Sequence, residues 1–363
     1  MKAIYIEAPG KVGIRQLPMP QRQKGQALLK VLYGGICGSD LGSYRGTFAY
    51  FDYPRIPGHE FAAEILEIDE NRQNLKPGMV VTCNPYFHCN HCYSCQRGIV
   101  NACMDNQTMG CQRDGAFCEY ITMPVERIYD GKGLSPKVLA AIEPFCISYH
   151  GVQRAGIKPG DKVLVIGGGT IGVLAANAAK ALGGQVYLCD IPQAEKKLEH
   201  SQEIFGFDGR ILNEGPESLE RAVKELTGSI KIGDTQVGNG FDVCIEAVGL
   251  PSTFQACIDC AAYGGKVVLI GVGKQNLDFN FTWIQKKELQ VFGSRNARKE
   301  DFLALINLVK SGKVDLEKII THVYRLDDAA QAFHDFDTKG GSMLKVGIDF
   351  TDGEILCENG FLL

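Results

Sequence analysis

The sequence predicts an α/β protein that combines a doubly wound parallel sheet with a second, mostly β unit. Three observations predict this fold class. First, from Asp161 onward short apolar stretches alternate with helix-forming stretches, the pattern of a parallel sheet with right-handed crossovers. Second, residues 1–145 contain short apolar runs separated by Gly, Pro and Asn. Third, a chain of 363 residues is long enough for about two or three domains of ordinary size.

In the first unit, three short runs are predicted to be strands. They are residues 27–33 (ALLKVLY), 61–68 (FAAEILEI) and 79–82 (MVVT). Each run is apolar or alternates between apolar and polar residues, and each is bounded by residues that favour turns. The pattern indicates a small β unit with long loops.

The second unit begins with a predicted strand at 162–166 (KVLVI), a nearly continuous apolar run typical of a strand buried in a parallel sheet. The stretch 171–182 that follows is rich in helix formers. Further strands are predicted at 185–190, 241–246, 266–270 and 288–292, and further helices at 217–226 and 251–262.

After Gly293 the sequence predicts a helix at 299–311 and a strand at 345–350. This segment is too short for a hydrophobic core of its own, so we expect it to return to the first unit. The expected organisation is therefore 1–148 as the first part of one domain, 149–294 as the second domain, and 295–350 as the segment that completes the first. We assign no role to residues 351–363.

Composition and charge exclude several classes of protein. With 45% hydrophobic and 22% charged residues, the chain is neither disordered nor collagen-like. The net charge of -4 and the lack of a basic run argue against a nucleic-acid partner. The longest uncharged stretch, 163–179, is shorter than the ~20 apolar residues that a membrane span needs. Because the chain starts without the apolar core of a signal peptide, we expect a cytoplasmic protein.

Fourteen cysteines are unusual for such a chain. In a reducing compartment, clustered cysteines are more often metal ligands or catalytic groups than disulfides. Four of them share the lobe 88–104 with the spacing C-x2-C-x2-C-x7-C: Cys89, Cys92, Cys95 and Cys103. Thiolates at this spacing converge on one tetrahedral zinc ion and leave no open position, which indicates a structural site. An iron–sulfur cluster and a chance grouping are the alternatives, and His88 and His91 are expected to face solvent.

A glycine-rich run, V-I-G-G-G-T-I-G at 165–172, lies between a predicted strand and a predicted helix. It contains the G-x-G-x-x-G pattern of a dinucleotide-binding turn. In such a turn Gly167 allows the tight bend, Gly169 the close approach of a pyrophosphate, and Gly172 the contact between helix and strand. Thr170 and Ile171 open the helix whose N-terminal amides would face the phosphates.

Asp190, which ends the next predicted strand, indicates which dinucleotide is bound. A carboxylate at this position binds the ribose hydroxyls. Ile191 and Pro192 follow it, so no arginine is immediately available for a 2'-phosphate, and NAD is favoured over NADP. Lys196 and Lys197 lie nearby and leave NADP open. A glycine-rich turn in a domain that binds no nucleotide is the remaining alternative.

Three further residues form a scattered set: Cys37 in G-I-C-G-S-D, His59 in P-G-H-E, and Glu143 before Pro144. A thiolate, an imidazole and a carboxylate hold zinc with one position open, which is what Lewis-acid chemistry requires. Taken singly, each is better explained as a buried thiol, a hydrogen-bonded histidine or a surface carboxylate. Their distance in sequence does not establish that they meet.

The motifs described so far are C-G-S-D, G-H-E, the four-cysteine lobe, E-P and G-G-G-T-I-G. Their order and separations resemble those of the zinc-dependent medium-chain alcohol dehydrogenases. The resemblance extends from Met1 to about Phe350. It implies a GroES-like catalytic domain and a Rossmann domain. Glu143, at a position that is Cys in simple alcohol dehydrogenases, resembles the polyol and sugar-acid branch, which includes sorbitol dehydrogenase. Two stretches, 142–148 and 293–297, are similar to bacterial 5-dehydrogenases of L-galactonate, L-gulonate or L-idonate.

The resemblance implies roles for individual residues. Cys37, His59 and Glu143 would hold a catalytic zinc ion, with Glu60 replacing Glu143 or alternating with it. Ser39 matches the residue whose hydroxyl bonds the substrate oxygen. The four cysteines of the lobe would hold a structural zinc ion, which gives two zinc ions per chain besides NAD.

Two further residues affect the expected chemistry. Gly42 stands where many relatives have the histidine of a proton relay, so water or a cofactor hydroxyl would serve instead. Arg295 is a candidate for binding a substrate carboxylate, because its planar fork suits bidentate pairing; a structural or cofactor-contacting arginine is an equal alternative.

The expected reaction is reversible oxidation of a secondary hydroxyl, with the proton leaving through Ser39 and hydride passing to NAD in a cleft between the domains. The expected substrate is a sugar acid oxidised at position 5; an alditol, an alditol phosphate or L-threonine is the alternative. Two other classes stay open: a zinc-stabilised nucleotide-binding module without catalysis, and a zinc-independent reductase. Relatives form dimers or tetramers through strands of the nucleotide domain, so residues 290–292 are a candidate interface.

The nine remaining cysteines are expected to be small buried hydrophobes or idle thiols. They are Cys83, Cys111, Cys118, Cys146, Cys189, Cys244, Cys257, Cys260 and Cys357.

Overall fold

The computed structural model describes residues 1–351 of the protein, whose chain divides into two compact units. One unit comprises Met1–Pro144 and the segment that begins at Arg298. The other is the continuous stretch Phe145–Ala297. Both divisions lie a few residues from those expected after 148 and 294. Of the C-terminal extension, residues 352–363, including Cys357, lie outside the described residues.

The first part of the discontinuous unit consists mainly of strands. These are β1 (Lys2–Ala8), β2 (Lys11–Gln16), β3 (Gln26–Ile36), β4 (Glu60–Glu67), β5 (Val80–Cys83), β6 (Tyr86–Phe87), β7 (Gln107–Thr108), β8 (Tyr120–Pro124) and β9 (Ile128–Asp130). Its short helices are α1 (Gly38–Tyr44), α2 (Tyr93–Gln96) and α3 (Pro136–Ala140). The predicted strands 27–33, 61–68 and 79–82 correspond to β3, β4 and β5.

The continuous unit alternates strands with helices. Its strands are β10 (Lys162–Ile166), β11 (Gln185–Asp190), β12 (Gly209–Leu212), β13 (Ser229–Ile232), β14 (Thr235–Gly238), β15 (Phe241–Glu246), β16 (Ala261–Leu269) and β17 (Gln290–Gly293). Its helices are α4 (Ile142–Ala155), which begins before the boundary, α5 (Thr170–Ala181), α6 (Glu195–Phe205), α7 (Pro216–Thr227), α8 (Pro251–Cys260) and α9 (Thr282–Lys286).

Six of these strands form a parallel sheet in the order β12-β11-β10-β15-β16-β17. The predicted doubly wound sheet is thereby confirmed. In this order the direction of winding reverses between β10 and β15, and ligands of such sheets bind at the carboxyl ends of the strands at that point. Ile166 is in register with Glu246 there, so the chain leaves β10 beside the end of β15.

After Arg298 the chain returns to the discontinuous unit. This segment contains α10 (Lys299–Lys310), β18 (Ile320–Arg325), α11 (Ala329–Lys339) and β19 (Lys345–Asp349). β19 pairs antiparallel with β3, and the sheet continues as β18-β19-β3-β4-β5-β9, with β8 also paired to β3. The unit is therefore completed by residues from both ends of the described chain.

Two of the differences between the predicted elements and the structure have a clear physical reason. The helix predicted to reach residue 262 ends at Cys260, because Ala261 already pairs with Phe241 in the sheet. The antiparallel pair β13-β14 was not predicted, since its apolar residues Ile230 and Ile232 alternate over only four positions.

The cysteines without a predicted metal role, as far as they are described, are all buried, which confirms that prediction. Among residues 1–351, no helix is both long enough and apolar enough to cross a bilayer.

Candidate functional site

Cys37, His59 and Glu60 come together although they are separated in sequence. Their ligand atoms all lie within 4.8 Å of one another. Cys37 follows the end of β3, and Glu60 begins β4, with Gly35 and Glu60 in register. The antiparallel pairing of two neighbouring strands therefore places a thiol, an imidazole and a carboxylate at one point.

Asp40, a residue without a predicted role, ties this group to the backbone. Its Oδ2 accepts a hydrogen bond from the Cys37 amide at 2.9 Å, and its Oδ1 accepts one from the Gly58 amide at 3.3 Å. Oδ1 also lies 4.0 Å from Nδ1 of His59. At this distance the carboxylate attracts the imidazole electrostatically but accepts no hydrogen bond from it. The C-G-S-D motif contained this residue, so a signal was present.

Charge and burial both act on these side chains. Burial alone would lower the pKa of His59, but the negative charges of Cys37 and Asp40 raise that pKa well above its usual value. Burial raises the pKa of the Asp40 carboxyl, although His59 opposes the shift. The site thus attracts positive charge, as a metal-binding site must.

Glu60 has a second partner, which sequence reasoning missed. Nζ of Lys345 donates to Oε1 at 2.7 Å, to Oε2 at 2.6 Å, and to the Ile36 carbonyl at 3.2 Å. Gly35 makes room for this carboxylate, because a Cβ there would lie 2.4 Å from Oε2. Burial alone would lower the pKa of Lys345, but Glu60 raises it.

Glu143 lies near the group but outside it. It is 2% exposed and accepts a hydrogen bond from the Tyr86 hydroxyl. Burial, reinforced by the charge of Glu60, raises the pKa of Glu143 to about 7, against the opposing effect of His59. Of the two carboxylates considered from the sequence, the structure groups Glu60 with Cys37 and His59.

The donor set fits a zinc ion. Sulfur, imidazole nitrogen and carboxylate oxygen are the ligands that zinc prefers, and three protein ligands leave one position open. The buried Nδ1 atom of His59 has no hydrogen-bond partner among the described residues. Such a polar atom is costly to bury unless something binds it.

Ser39 and Gly42 lie on α1, directly after Cys37. The Ser39 side chain is half-buried, and its carbonyl accepts a bond from the Ser43 hydroxyl. Gly42 packs against Phe48, whose Cβ would lie 3.2 Å from an added Cβ. A relay histidine at position 42 would therefore require Phe48 to shift by a few tenths of an ångström.

The four cysteines of the lobe form a second group, again with ligand atoms within 4.8 Å of one another. The Sγ atoms of Cys89 and Cys95 are 4.0 Å apart, and those of Cys92 and Cys103 are 3.9 Å apart. Zn–S bonds of about 2.3 Å in a tetrahedron require sulfur separations of about 3.8 Å. The geometry fits one ion better than a multinuclear cluster.

The two histidines of the lobe differ in exposure. His91 is exposed, as predicted, and its Nδ1 lies 2.9 Å from the Cys89 carbonyl. His88 is not fully solvent-facing as predicted: it is half-buried, with Nδ1 3.4 Å from Arg127.

In the continuous unit, the glycine-rich run forms the turn between β10 and α5. Gly167 has φ +114, and a Cβ on Gly172 would lie 1.7 Å from the Gly167 carbonyl oxygen. A Cβ on Gly169 would meet nothing within 4 Å, so open space faces the start of α5. The open space at the N-terminus of α5, which begins at Thr170 and Ile171, fits a pyrophosphate.

Asp190 ends β11 and lies beside this turn. Its Oδ2 accepts a hydrogen bond from the Gly168 amide at 2.8 Å, and its Oδ1 accepts one from the Ile191 amide at 2.8 Å. Nζ of Lys197 lies 4.0 Å from Oδ2. Arg295 is exposed in the same unit, two residues after β17.

Comparison with known proteins agrees with both units. Residues 23–132 match the family described as "Alcohol dehydrogenase GroES-like domain", and residues 170–311 match "Zinc-binding dehydrogenase". The first match contains Cys37, His59 and the cysteine lobe. The second begins at Thr170, at the end of the glycine turn.

Individual relatives match over nearly the whole chain. L-galactonate-5-dehydrogenase of Escherichia coli K12 is 34% identical over 92% of this chain and 94% of its own. Sorbitol dehydrogenase of Halalkalibacterium halodurans is 31% identical over 93% and 95%. A solved Escherichia coli CFT073 structure, described as a short chain alcohol dehydrogenase complexed with NADH, has a TM-score of 0.85 at 29% identity and covers 96% and 99%. The chain belongs to the zinc-dependent medium-chain alcohol dehydrogenase family.

Proposed function

We propose that the protein reversibly oxidises a secondary hydroxyl of a sugar acid or polyol with NAD, and that its best candidate activity is that of an aldonate 5-dehydrogenase. The observation that carries the proposal is the meeting of the half-buried Cys37 with the buried His59 and Glu60, in a chain that also holds a dinucleotide turn. The similarity to an L-galactonate-5-dehydrogenase supports the sugar-acid class.

In this proposal Cys37, His59 and one carboxylate, Glu60 or Glu143, hold the catalytic zinc. When bound, zinc supplies Lewis acidity that makes a hydroxyl easier to deprotonate. Asp40 accepts hydrogen bonds from the Cys37 and Gly58 amides and so fixes the backbone that carries Cys37 and His59. Ser39 accepts the substrate proton at its Oγ. Because Gly42 carries no imidazole, that proton passes to water or a cofactor hydroxyl.

The continuous unit holds NAD, which supplies the hydride acceptor. Gly167 and Gly172 shape the turn, Gly169 leaves space for the pyrophosphate, and Thr170 and Ile171 present the positive end of α5. The Asp190 carboxylate accepts hydrogen bonds from the ribose hydroxyls, which favours NAD over NADP.

The cysteine lobe holds a second, structural zinc in this proposal, because four thiolates leave no open position. We also propose a homo-oligomer, with β17 as the shared edge. β17 ends the six-stranded sheet, and an edge strand presents unpaired backbone groups to a second copy. The exposed Phe281 and Trp283 lie just before it. A reducing compartment, the cytoplasm, suits the free cysteines of residues 1–351.

The test is NAD reduction across aldonates, alditols, alditol phosphates, L-threonine and simple alcohols, together with zinc analysis. We expect two zinc ions per chain and turnover of aldonates. Turnover of alditols or L-threonine alone would favour those substrates, and turnover of simple alcohols alone would contradict the sugar branch. One zinc ion without NAD binding would indicate a binding module. Full turnover by Cys37→Ser would indicate a zinc-independent reductase.

A further inference from the structure

The aromatic ring of Phe87 contacts the guanidinium groups of two arginines. The guanidinium carbon of Arg113 lies 3.7 Å from the ring centroid, and that of Arg127 lies 4.3 Å from it. Two guanidinium groups cannot share one face of a ring at these distances, so the ring is held between them. Each arginine gains a cation–π contact, but the two like charges are brought close together.

Neither guanidinium group forms an ion pair within the described part of the chain, although Asp114 and Glu126 act on them from a greater distance. Among residues 1–351, no carboxylate oxygen lies within salt-bridge distance of either guanidinium group. Arg127 is 8% exposed; it donates to the Tyr86 carbonyl and lies 3.4 Å from Nδ1 of His88. The Arg113 side chain is exposed and forms no hydrogen bond within the same part of the chain, although the Arg113 backbone forms a β-bridge with Met109. The pair therefore presents positive charge with one guanidinium group left to bind a ligand.

The loop that carries Arg113 is attached to the backbone before His59. The Gly115 amide donates to the Ile56 carbonyl at 2.8 Å, and the Ala116 amide donates to the Gly58 carbonyl at 2.9 Å. The fit is close, because a Cβ on Gly115 would lie 2.2 Å from the Pro57 carbonyl oxygen. Arg113 is thus fixed to the segment that leads directly into a candidate metal ligand.

Phe87, which packs against Arg113, is linked to the candidate site through its neighbour Tyr86. Phe87 follows Tyr86 in β6, and the Tyr86 hydroxyl donates to Glu143. A ring held at this place supports Arg113 without occupying its hydrogen-bonding edge. The edge of the guanidinium group is the part that binds a carboxylate bidentately.

We propose that Arg113 binds the carboxylate of an anionic substrate at the rim of the candidate active site, and that Arg127 is a positioning residue that acts through Phe87. The inference rests on the proposed function and names the residue that makes it selective for sugar acids. In a sugar acid oxidised at position 5, the carboxylate lies several carbons from the reacting carbon. The cation that binds it must therefore lie away from the metal ligands, on the wall around them.

The assignment also differs from the sequence-based expectation. Arg295 belongs to the continuous unit, whereas Arg113 belongs to the unit that contains Cys37, His59 and Glu143. Arg113 stands in a polar loop, C-Q-R-D, with no motif that marks it.

The test compares Arg113→Ala, Arg113→Lys and Phe87→Leu with a matched control, Arg97→Ala. Arg97 is likewise exposed and lies over an aromatic ring, 5.2 Å from the centroid of Tyr93. KM and kcat are measured for L-galactonate, L-gulonate and L-idonate and for the neutral polyols sorbitol and galactitol. Binding of each aldonate is also measured by calorimetry.

We expect Arg113→Ala to raise KM for the best aldonate about 10–100-fold, the range for a hydrogen bond to a charged group, with kcat and polyol kinetics nearly unchanged. Arg113→Lys keeps part of the selectivity, Phe87→Leu loses part of it, and Arg97→Ala loses none. Equal changes for aldonates and polyols, or a loss of selectivity in Arg295→Ala alone, would overturn the role of Arg113 and leave the proposed function intact. If the unsubstituted protein neither binds nor oxidises any aldonate, both the role of Arg113 and the proposed aldonate activity are overturned.

Discussion

Nζ of Lys345 lies 2.6 Å from Oε2 and 2.7 Å from Oε1 of Glu60, and both side chains are buried. Glu60 also lies among the candidate metal ligands Cys37 and His59. The same carboxylate therefore faces two positive partners, an ammonium group from β19 and the metal that this donor set fits. How much the ammonium group contributes is measurable.

Replacing Lys345 by Met leaves the Glu60 carboxylate buried without its ammonium partner. Removing one member of a buried ion pair costs about 3–5 kcal/mol, so we expect a loss of this size in the free energy of unfolding. The measurement is urea unfolding of each purified variant. In Glu60→Gln/Lys345→Met no charge is left behind, and the loss is smaller. Equal losses in the single and double variants would contradict this account.

The two zinc sites differ in what they stabilise. Cys92→Ser and Cys37→Ser each lower the zinc content from two ions to one, but Cys92→Ser lowers the melting temperature more, because the lobe contains little besides its four thiols to hold it. Metal analysis and thermal denaturation measure the two effects. Cys83→Ala, a buried cysteine outside both groups, keeps both ions. Loss of both ions in either variant would show that the sites depend on each other.

Replacing either of two glycines of the turn by alanine is expected to weaken NADH binding, but for different reasons. Gly172→Ala places a Cβ 1.7 Å from the Gly167 carbonyl oxygen, so we expect lower stability as well as lost NADH binding. Ala at 169 meets only open space, so we expect normal stability with weaker NADH binding. Calorimetric titration with NADH and thermal denaturation separate the two results. Unchanged NADH affinity in Gly169→Ala would place the pyrophosphate elsewhere.

The Tyr33 hydroxyl is buried and has no hydrogen-bond partner among residues 1–351. Burial raises the pKa of this hydroxyl. Since leaving a buried hydroxyl unsatisfied costs about 1–3 kcal/mol, Tyr33→Phe raises the free energy of unfolding by up to that amount. Denaturant unfolding measures it, with Tyr129→Phe as a control. A less stable Tyr33→Phe protein would mean that water satisfies the hydroxyl.

The ionisation of the Asp335 carboxyl is expected to make the stability of the protein depend on pH in acid. Its hydrogen bonds with Lys339 and Tyr324 lower the pKa of the Asp335 carboxyl from 3.8 to about 2. A lowered folded-state pKa contributes stability above 3.8 that is lost as the pH falls toward 2. Asp335→Asn therefore loses less stability than the natural protein between pH 4 and 2. Thermal melts across this range measure the difference, and an equal loss in Asp335→Asn and the natural protein would contradict the account.

Local patterns suffice for the elements that carry the motifs. The predicted strands 162–166, 185–190 and 241–246 coincide with β10, β11 and β15, because strands inside a parallel sheet are apolar on both faces. The cysteine spacing likewise predicts its own geometry, since its members lie within one short lobe. Hairpin β13-β14 lacks any such constraint, because its apolar side chains are exposed.

The residues that contact the candidate metal ligands could not be predicted from local sequence patterns. Lys345 lies 285 residues from Glu60, and Tyr86 lies 57 residues from Glu143. Nothing in the local sequence of β19 marks Lys345 as a buried cation, because burial there depends on pairing with β3. Resemblance supplies the metal ligands, but only tertiary contacts reveal the groups that hold them.

The origin of Lys345 in β19 has a consequence for biosynthesis. A ribosome releases Cys37, His59 and Glu60 early, and it then makes the entire nucleotide unit before it reaches the ammonium group that Glu60 needs. Domains generally fold as they emerge, N-terminal ones first. Here the nucleotide unit, although second in sequence, is the first whose strands are all available. Nascent chains arrested before residue 345 should therefore bind NADH while Glu60 still lacks its ammonium partner.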